Sequence, residues 1–438
     1  MTLSPARQVS AKEAAEPRAK QAVLTATDNK WPVIDLARRV ERALDFAEAA
    51  IELVSAENPG IDLEALEAPP NKIIAETAMF LRTALCIPGD LAPNVTERAH
   101  TLARALSPHA RHRRVEIGIA LHPALALDYS AAHIVLAKAG YPDDVFDKAL
   151  AAALAATTAA ARERAPHREL EQDWLASLRG GPAPSEGTLC RTALIKGTDL
   201  LTGSRDDVYA LTHALLYATD FGNHRPLLSR PENDILTTVR SALAGALDDD
   251  DFDLAGELLL AWPFLDATWD ESSSLAFAVL AGVEDEVGVL PSLALDLAEY
   301  ERQPVAVRKS YVAAVAYHTA YVMGLLCAVM LSRNSRAAVM PTEASGSAAF
   351  SEALLVSLAS DKRQPQWLRY VERAPSSRQA GYSPLLLDVA IRRAVRQLNL
   401  GQVQHLLQIG VEHGVAHSPL CLQAAGLLHR LAMLSGLN

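Results

Sequence analysis

The stretch YVAAVAYHTAYVMGLLCAVML, Tyr311–Leu331, contains no Asp, Glu, Lys or Arg. As a helix it is long enough to cross a bilayer. A helix that is apolar all round can equally lie at the centre of a large protein. His318, Thr319 and three tyrosines interrupt this run, and no second span accompanies it. We therefore read it as the buried central helix of a soluble protein, one that needs other helices on every side.

The remainder of the chain can supply them. It has 438 residues, 50% hydrophobic and only 5% aromatic. The apolar content is mostly Ala and Leu, which favour helices, whereas β-branched and aromatic residues favour strands. No alternating run of β-branched character stands out, so the fold class is all-α. Helical periodicity recurs along the sequence. Trp31–Ala56 forms one long amphipathic helix, and Pro70–Cys86 another with proline in its first turn. Further helices start near Asn94, Arg113, Tyr129, Asp143, Glu169, Gly187, Asp206, Glu232, Phe252, Ser273, Val305, Ser347, Pro365, Ser383, Gln402 and Pro419. Short connections rich in Gly, Pro, Asp or Asn suit helical hairpins.

AGYPDDVFDKALAAAL (139–154) resembles TGSRDDVYALTHALL (202–216), and SALAGALDDDDFDLAGELLLA (241–261) resembles IRRAVRQLNLGQVQHLLQIG (391–410). These pairs indicate stacked hairpins without a strict short repeat. Two architectures fit: an α/α toroid around a central cavity, and an open α-solenoid. The uncharged Tyr311 helix favours the toroid, whose inner layer is shielded on all sides. Residues 1–28 are expected to be a disordered tail. Residues 29–180 form an N-terminal helical region, and 187–438 a C-terminal helical body packed with it in one continuous architecture. The Gly/Pro-rich stretch Gly180–Gly187 joins them, and Arg333–Phe350 is expected to be a flexible loop.

The net charge of -11 and pI near 5.6 argue against nucleic acid as a partner. The basic cluster Arg111–Arg114 is short and reads as a solvated helix start. The 4 cysteines are far apart and suit buried free thiols in a reducing, cytoplasmic setting. The first residues lack a signal-peptide core. The expected partners are a small-molecule substrate and a second copy of the chain, with no membrane.

Three constellations carry candidate chemistry. In DDVYALTHALLYATDFGNH (206–224), Tyr209, His213, Leu216 and Asp220 share a helical stripe, and Tyr217 lies one turn beyond His213. His213 and Asp220 would be about 10 Å apart along the axis, too far to chelate one ion. In YHTAYVMG (317–324), a buried His318 must find a hydrogen-bond partner or a metal. In DFDLAGELLLAWPF (251–264), Asp253 and Glu257 share a face, a spacing that suits metal ligation or acid–base work. Helix capping is the reading preferred for Asp251–Asp253, whereas Glu257 is flanked by leucines and needs another role. The expected catalytic residues are His213, Tyr217, Asp220 and His318. Tyr209, Tyr317 and Tyr321 are expected to bind substrate. His213, Glu257 and His318 would hold a divalent metal ion if one is present.

DDVFD (143–147) matches an aspartate-rich motif of terpene synthases, but its sibling DDVY at 206 opens a helix in the same way, which favours a helix start. DDDD (248–251) fits the acid motif of class II cyclases only formally. A single ExxH, Glu97–His100, falls short of a di-iron bundle. There is no phosphate loop, dinucleotide fingerprint or nucleophile elbow.

YALTHALLYATDFG (209–222), DLAGELLLA (253–261) and YHTAYVMGLL (317–326) together resemble an uncharacterised all-helical family of actinobacteria associated with small-molecule biosynthesis. The resemblance covers roughly residues 190–330. It implies a bacterial, cytosolic protein and brings no reaction, cofactor or catalytic residue with it. The expectation is an enzyme of specialised metabolism with acid–base or metal-assisted chemistry in a central helical cavity. The rivals are a non-catalytic helical-repeat scaffold, and a terpene cyclase holding Mg²⁺ at Asp143, Asp144 and Asp147.

Overall fold

The computed structural model describes residues 31–56, 60–66, 68–156, 163–333, 348–360, 364–374 and 376–436. The expected tail over 1–28 and residues 334–347 of the expected loop lie outside them. The described residues form helices and turns without a strand. The first group is α1 (Val33–Ser55), α2 (Pro70–Ala84), α3 (Pro93–Ala110), α4 (Arg113–Leu121), α5 (Ala126–Lys138), α6 (Asp144–Ala155) and α7 (Pro166–Leu178). The second is α8 (Glu186–Arg191), α9 (Ala193–Lys196), α10 (Arg205–Ala218), α11 (Glu232–Asp248), α12 (Phe252–Leu259), α13 (Ala261–Phe264), α14 (Glu271–Val287), α15 (Leu297–Arg302) and α16 (Val305–Ser332). The last is α17 (Ala348–Ala359), α18 (Leu368–Glu372), α19 (Ser376–Gln379), α20 (Ser383–Arg396), α21 (Leu400–Glu412) and α22 (Pro419–Ser435).

The starts follow local chemistry. Proline occupies the first turn of α2, α3, α7 and α22, where its missing N–H costs nothing. Asp143 caps α6 by accepting from the amides of Val145 and Phe146, which gives DDVFD the helix-start role. Ser204 and Asp207 form a capping box at α10. His112 accepts from the amide of Arg114 at the start of α4, and Arg111 donates to His133 and to the Tyr141 carbonyl. Gly180–Ser185 is a loop between α7 and α8, and α7 also packs on α10 across it.

Helix α16, which carries the uncharged Tyr311–Leu331 run, is the hub. Of its most apolar 18-residue window, 89% is buried inside the protein, as a core helix requires. α1 lies along it most extensively, and α2, α12, α13 and α15 also touch it. Two glycines allow this crowding. A Cβ on Gly324 would meet the Ala43 Cβ of α1 at 2.4 Å, and one on Gly256 would meet Val322 at 2.5 Å.

Six helices form a closed circuit of contacts: α2 on α5, α5 on α7, α7 on α10, α10 on α12, α12 on α16, and α16 back on α2. Outside it, α11 packs on α12 and carries α20 and α22, while α18 packs on α14.

Buried ion pairs lock distant segments together. Arg39 of α1 is 1% exposed and donates to Glu284, itself 4% exposed, and to Asp285 at 2.8 Å on α14. Arg42 reaches both carboxylates, and the more exposed Arg38 reaches Asp285. Asp248 of α11 receives Arg393 of α20 at 2.6 Å, while Asp249 receives Arg392 and Arg396. The DDDD stretch therefore serves packing. Removing one partner of a buried pair leaves an uncompensated charge. Arg39→Ala is expected to lower the unfolding free energy by about 3 kcal/mol, and Arg38→Ala, at a surface pair, by less than about 1 kcal/mol. Denaturant titration of the two variants measures the contrast.

Candidate functional site

The circuit brings polar side chains from four of its helices into its interior. α16 contributes His318 from mid-helix, where no backbone group is free to satisfy an imidazole. α2 contributes Glu76, whose carboxylate lies 3.0 Å from His318 Nδ1. α12 contributes Asp253 and Glu257 one turn apart, set by the Asp251 cap that accepts from the Leu254 amide. Their oxygens lie 3.3 and 3.5 Å from His318 Nε2. α10 contributes Thr212, whose hydroxyl donates to the second Glu257 oxygen at 2.5 Å, and His213, with Nδ1 3.6 Å from that oxygen.

The His318 and Glu76 side chains keep 26% and 21% of their surface accessible, so a ligand can reach the pair. Burial disfavours the His318 charge, but the Asp253 and Glu76 carboxylates and the hydrogen bonds to Glu257 and Glu76 outweigh it and hold its pKa well above the usual histidine value. Burial raises the Glu76 pKa, and the charge and hydrogen bond of His318 more than reverse this. Burial also raises Glu257; the hydrogen bond to His318 opposes the rise and repulsion from Asp253 adds to it.

His213 has the opposite character. Burial, aided by the nearby charges of Arg168, His318 and His167, pushes its pKa well below the usual value, so it is neutral. Its Nδ1 lies 3.2 Å from the Tyr209 carbonyl, which can only accept. The proton therefore sits on Nδ1, and Nε2 keeps a lone pair. The Tyr209 ring stacks on the imidazole at 3.6 Å. On α7, Arg168 pairs with Glu171 at 2.8 Å, and Glu171 accepts from the Tyr217 hydroxyl at 2.9 Å. Arg168 also lines a cavity of about 490 Å³, together with Asn71, Tyr129 and Arg164, where α2, α5 and α7 meet.

The same cluster fits a metal ion. One ligand atom each from Asp253, Glu257 and His318 lies within 4.8 Å of the others. Bonds of about 2.1 Å in a tetrahedral site put neighbouring ligand atoms about 3.4 Å apart, close to the 3.3 and 3.5 Å from His318 Nε2. Asp253 Oδ1 is buried without a hydrogen-bond donor, while its Oδ2 receives Arg205 at 3.0 Å. Glu76 on Nδ1 would orient the ring, as carboxylates behind metal-bound histidines do.

Of the residues expected from sequence, His213, Glu257 and His318 come together, with Tyr209 stacked on His213. Glu257 lies between the histidines, one oxygen toward each. Tyr317 has a buried hydroxyl without a well-formed hydrogen bond, and Glu76 beside it adds to the effect of burial in raising its pKa. Tyr321 faces α2, bonded to Thr77 at 2.8 Å and stacked on Phe80. Tyr217 is held at Glu171, one turn from His213. Asp220 corrects the helical-stripe reading. α10 ends at Ala218, and Asp220, Phe221 and Gly222 follow with φ of 49°, 53° and 82°. Asp220 accepts two bonds from Arg82 at 2.8 Å and one from the Trp174 indole at 2.7 Å, a bracket between α2 and α7. Capping is the role of Asp251, whereas Asp253 faces His318. Glu76, Arg168 and Glu171 escape sequence reading, because each looks like a solvated charge on an amphipathic helix. The i,i+4 pair Lys72/Glu76 reinforces that impression for Glu76.

Because its folded-state pKa is raised, His318 contributes stability that is fully present below its unfolded value of about 6.5. This contribution is lost as pH rises through the folded-state value. Glu76→Gln removes one stabilising charge, so NMR titration of His318 in metal-free protein is expected to show a lower pKa than in wild type. An unchanged or higher value would contradict the electrostatics above.

No characterised protein and no solved structure shows significant similarity to the chain. Residues 40–328 match the profile of a domain of unknown function, DUF6895. The match is wider than the 190–330 resemblance and includes Glu76, Tyr209, His213, Asp253, Glu257 and His318. Covering well over half of the chain, it establishes that this protein belongs to the DUF6895 family.

Proposed function

We propose that the protein is an enzyme acting on a small molecule inside the six-helix circuit, with a divalent cation held by Asp253, Glu257 and His318. The observation that carries this reading is the buried set of three ligand atoms with a carboxylate behind the histidine and an oxygen of Asp253 left without a donor. Such an ion would polarise a bound oxygen of water or substrate. The chain supplies the rest. Neutral His213, with its lone pair on Nε2, takes a proton. Glu76 and Thr212 fix the orientations of His318 and Glu257. Tyr209 and Tyr317 border the reacting space, and the Arg168 charge acts on His213. The closed circuit supports a toroid-like inner layer over an open solenoid, and a buried charged cluster supports an enzyme over a scaffold. A cytoplasmic actinobacterial protein of a biosynthetic context belongs to the same proposal.

A second reading rests on the raised pKa of His318. Without a metal it is an imidazolium close to a neutral His213, a pair whose pKa values are driven apart as acid and base catalysts require.

The discriminating experiment is elemental analysis of protein purified without a histidine tag, followed by thermal shift with Zn²⁺, Mn²⁺, Fe²⁺ and Mg²⁺. The expected result is about one ion per chain and a melting temperature raised by a matching ion. His318→Ala and Glu257→Gln are expected to lose both effects while keeping the helical circular dichroism. His213→Ala is expected to keep the ion. Protein that neither contains nor responds to any of these ions would leave only the imidazolium reading.

A further inference from the structure

A second cavity, about 410 Å³, lies outside the circuit where the loop after α9 meets α11 and α22. Three cations line it: Lys196, Arg230 and Arg430. Among the described residues none of them forms an ion pair, although arginines elsewhere in this acidic chain pair freely. The carboxylate lining the cavity, Asp199, is occupied by its own loop, accepting from the Leu201 and Thr202 amides at 3.0 Å and the Thr202 hydroxyl at 2.5 Å. Asp234 lies near Arg230, but Arg230 bonds to its backbone carbonyl, not its carboxylate.

The loop is built, not loose. Gln423 of α22 donates to the Thr198 carbonyl and accepts from the Leu200 amide, both at 2.8 Å. The Arg230 guanidinium is fixed by the carbonyls of Leu194 and Asp234 and by the Thr238 hydroxyl. The backbone is open to an occupant. Gly197 turns the chain at φ +87° and leaves open space where a Cβ would stand, so a ligand can approach the backbone.

We propose that this cavity is an anion site for a phosphate-bearing small molecule. Its oxygens would meet Arg430 and Lys196 on a floor set by Arg230. The volume exceeds what one phosphate needs and falls in the range of small-metabolite pockets. Phosphate is favoured over carboxylate because three cations converge on it with little opposing charge, suiting a multiply charged group. Pro419, Gln423 and Arg430 lie beyond the 40–328 family match, so the site joins the family domain to the C-terminal helices.

The test is isothermal titration calorimetry of the full chain, treated with a chelator, using inorganic pyrophosphate and, separately, citrate at matched ionic strength. Pyrophosphate is expected to bind, and Lys196→Ala/Arg430→Ala to weaken it by about tenfold or more. These side chains are exposed and unpaired, so the melting temperature should not change. His318→Ala is expected to leave binding intact. Absence of pyrophosphate binding, equal binding to the double variant, or loss on His318→Ala would each overturn the site. Citrate binding as tightly as pyrophosphate would overturn the phosphate assignment.

Discussion

The structure depends on one constraint: from Tyr311 to Leu331, α16 has almost no face to give to water. A helix buried on every side must be surrounded by neighbours, and any polar group it carries must find its partners among them. The apolar residues are met by α1, α2, α12 and α13. Tyr321 is met by Thr77. His318 is met by a carboxylate at each nitrogen, Glu76 on one side and Asp253 and Glu257 on the other. The burial that organises the fold therefore also concentrates charge in one enclosed place.

Concentrated charge has opposite effects on the two histidines. Both are enclosed, and burial alone would make both neutral. His318 keeps its proton because three carboxylates outweigh desolvation, whereas at His213 desolvation prevails, aided by the cations near it. Glu257 touches both and is steadied by Thr212. A cluster of this kind is costly to fold unless every charge is compensated, and a divalent ion in place of the His318 proton is one way to compensate it.

Much of the fold was legible in the sequence because helix starts depend on local chemistry. The expected starts fall within three residues of those observed, for example Phe252, Val305 and Pro419 at the position itself. The end of α10 was not legible: Asp220 and Phe221 adopt left-handed backbone conformations that sequence assigns to glycine, so the helix stops earlier than its apolar spacing suggests. Within the site, residues on apolar helices stood out, as His213, Glu257 and His318 did. Glu76 and Arg168 did not. Their helices show an ordinary polar face, and only the packing of α2 and α7 into the circuit turns that face inward. Asp253 was visible but looked like a cap, because it follows the four aspartates Asp248–Asp251, of which Asp251 takes that role.

The Arg39–Glu284 lock has a consequence for the making of the protein. Its partners are separated by 245 residues, and α1 is also far in sequence from α16, on which it packs. At synthesis rates of about 5–20 residues per second, roughly ten to fifty seconds pass before α1 can meet either partner. During that interval the apolar stripe of α1 and the Arg39 charge are out on the nascent chain. The ribosome therefore releases α14 and α16 long after α1, which marks α1 as a segment in need of a chaperone.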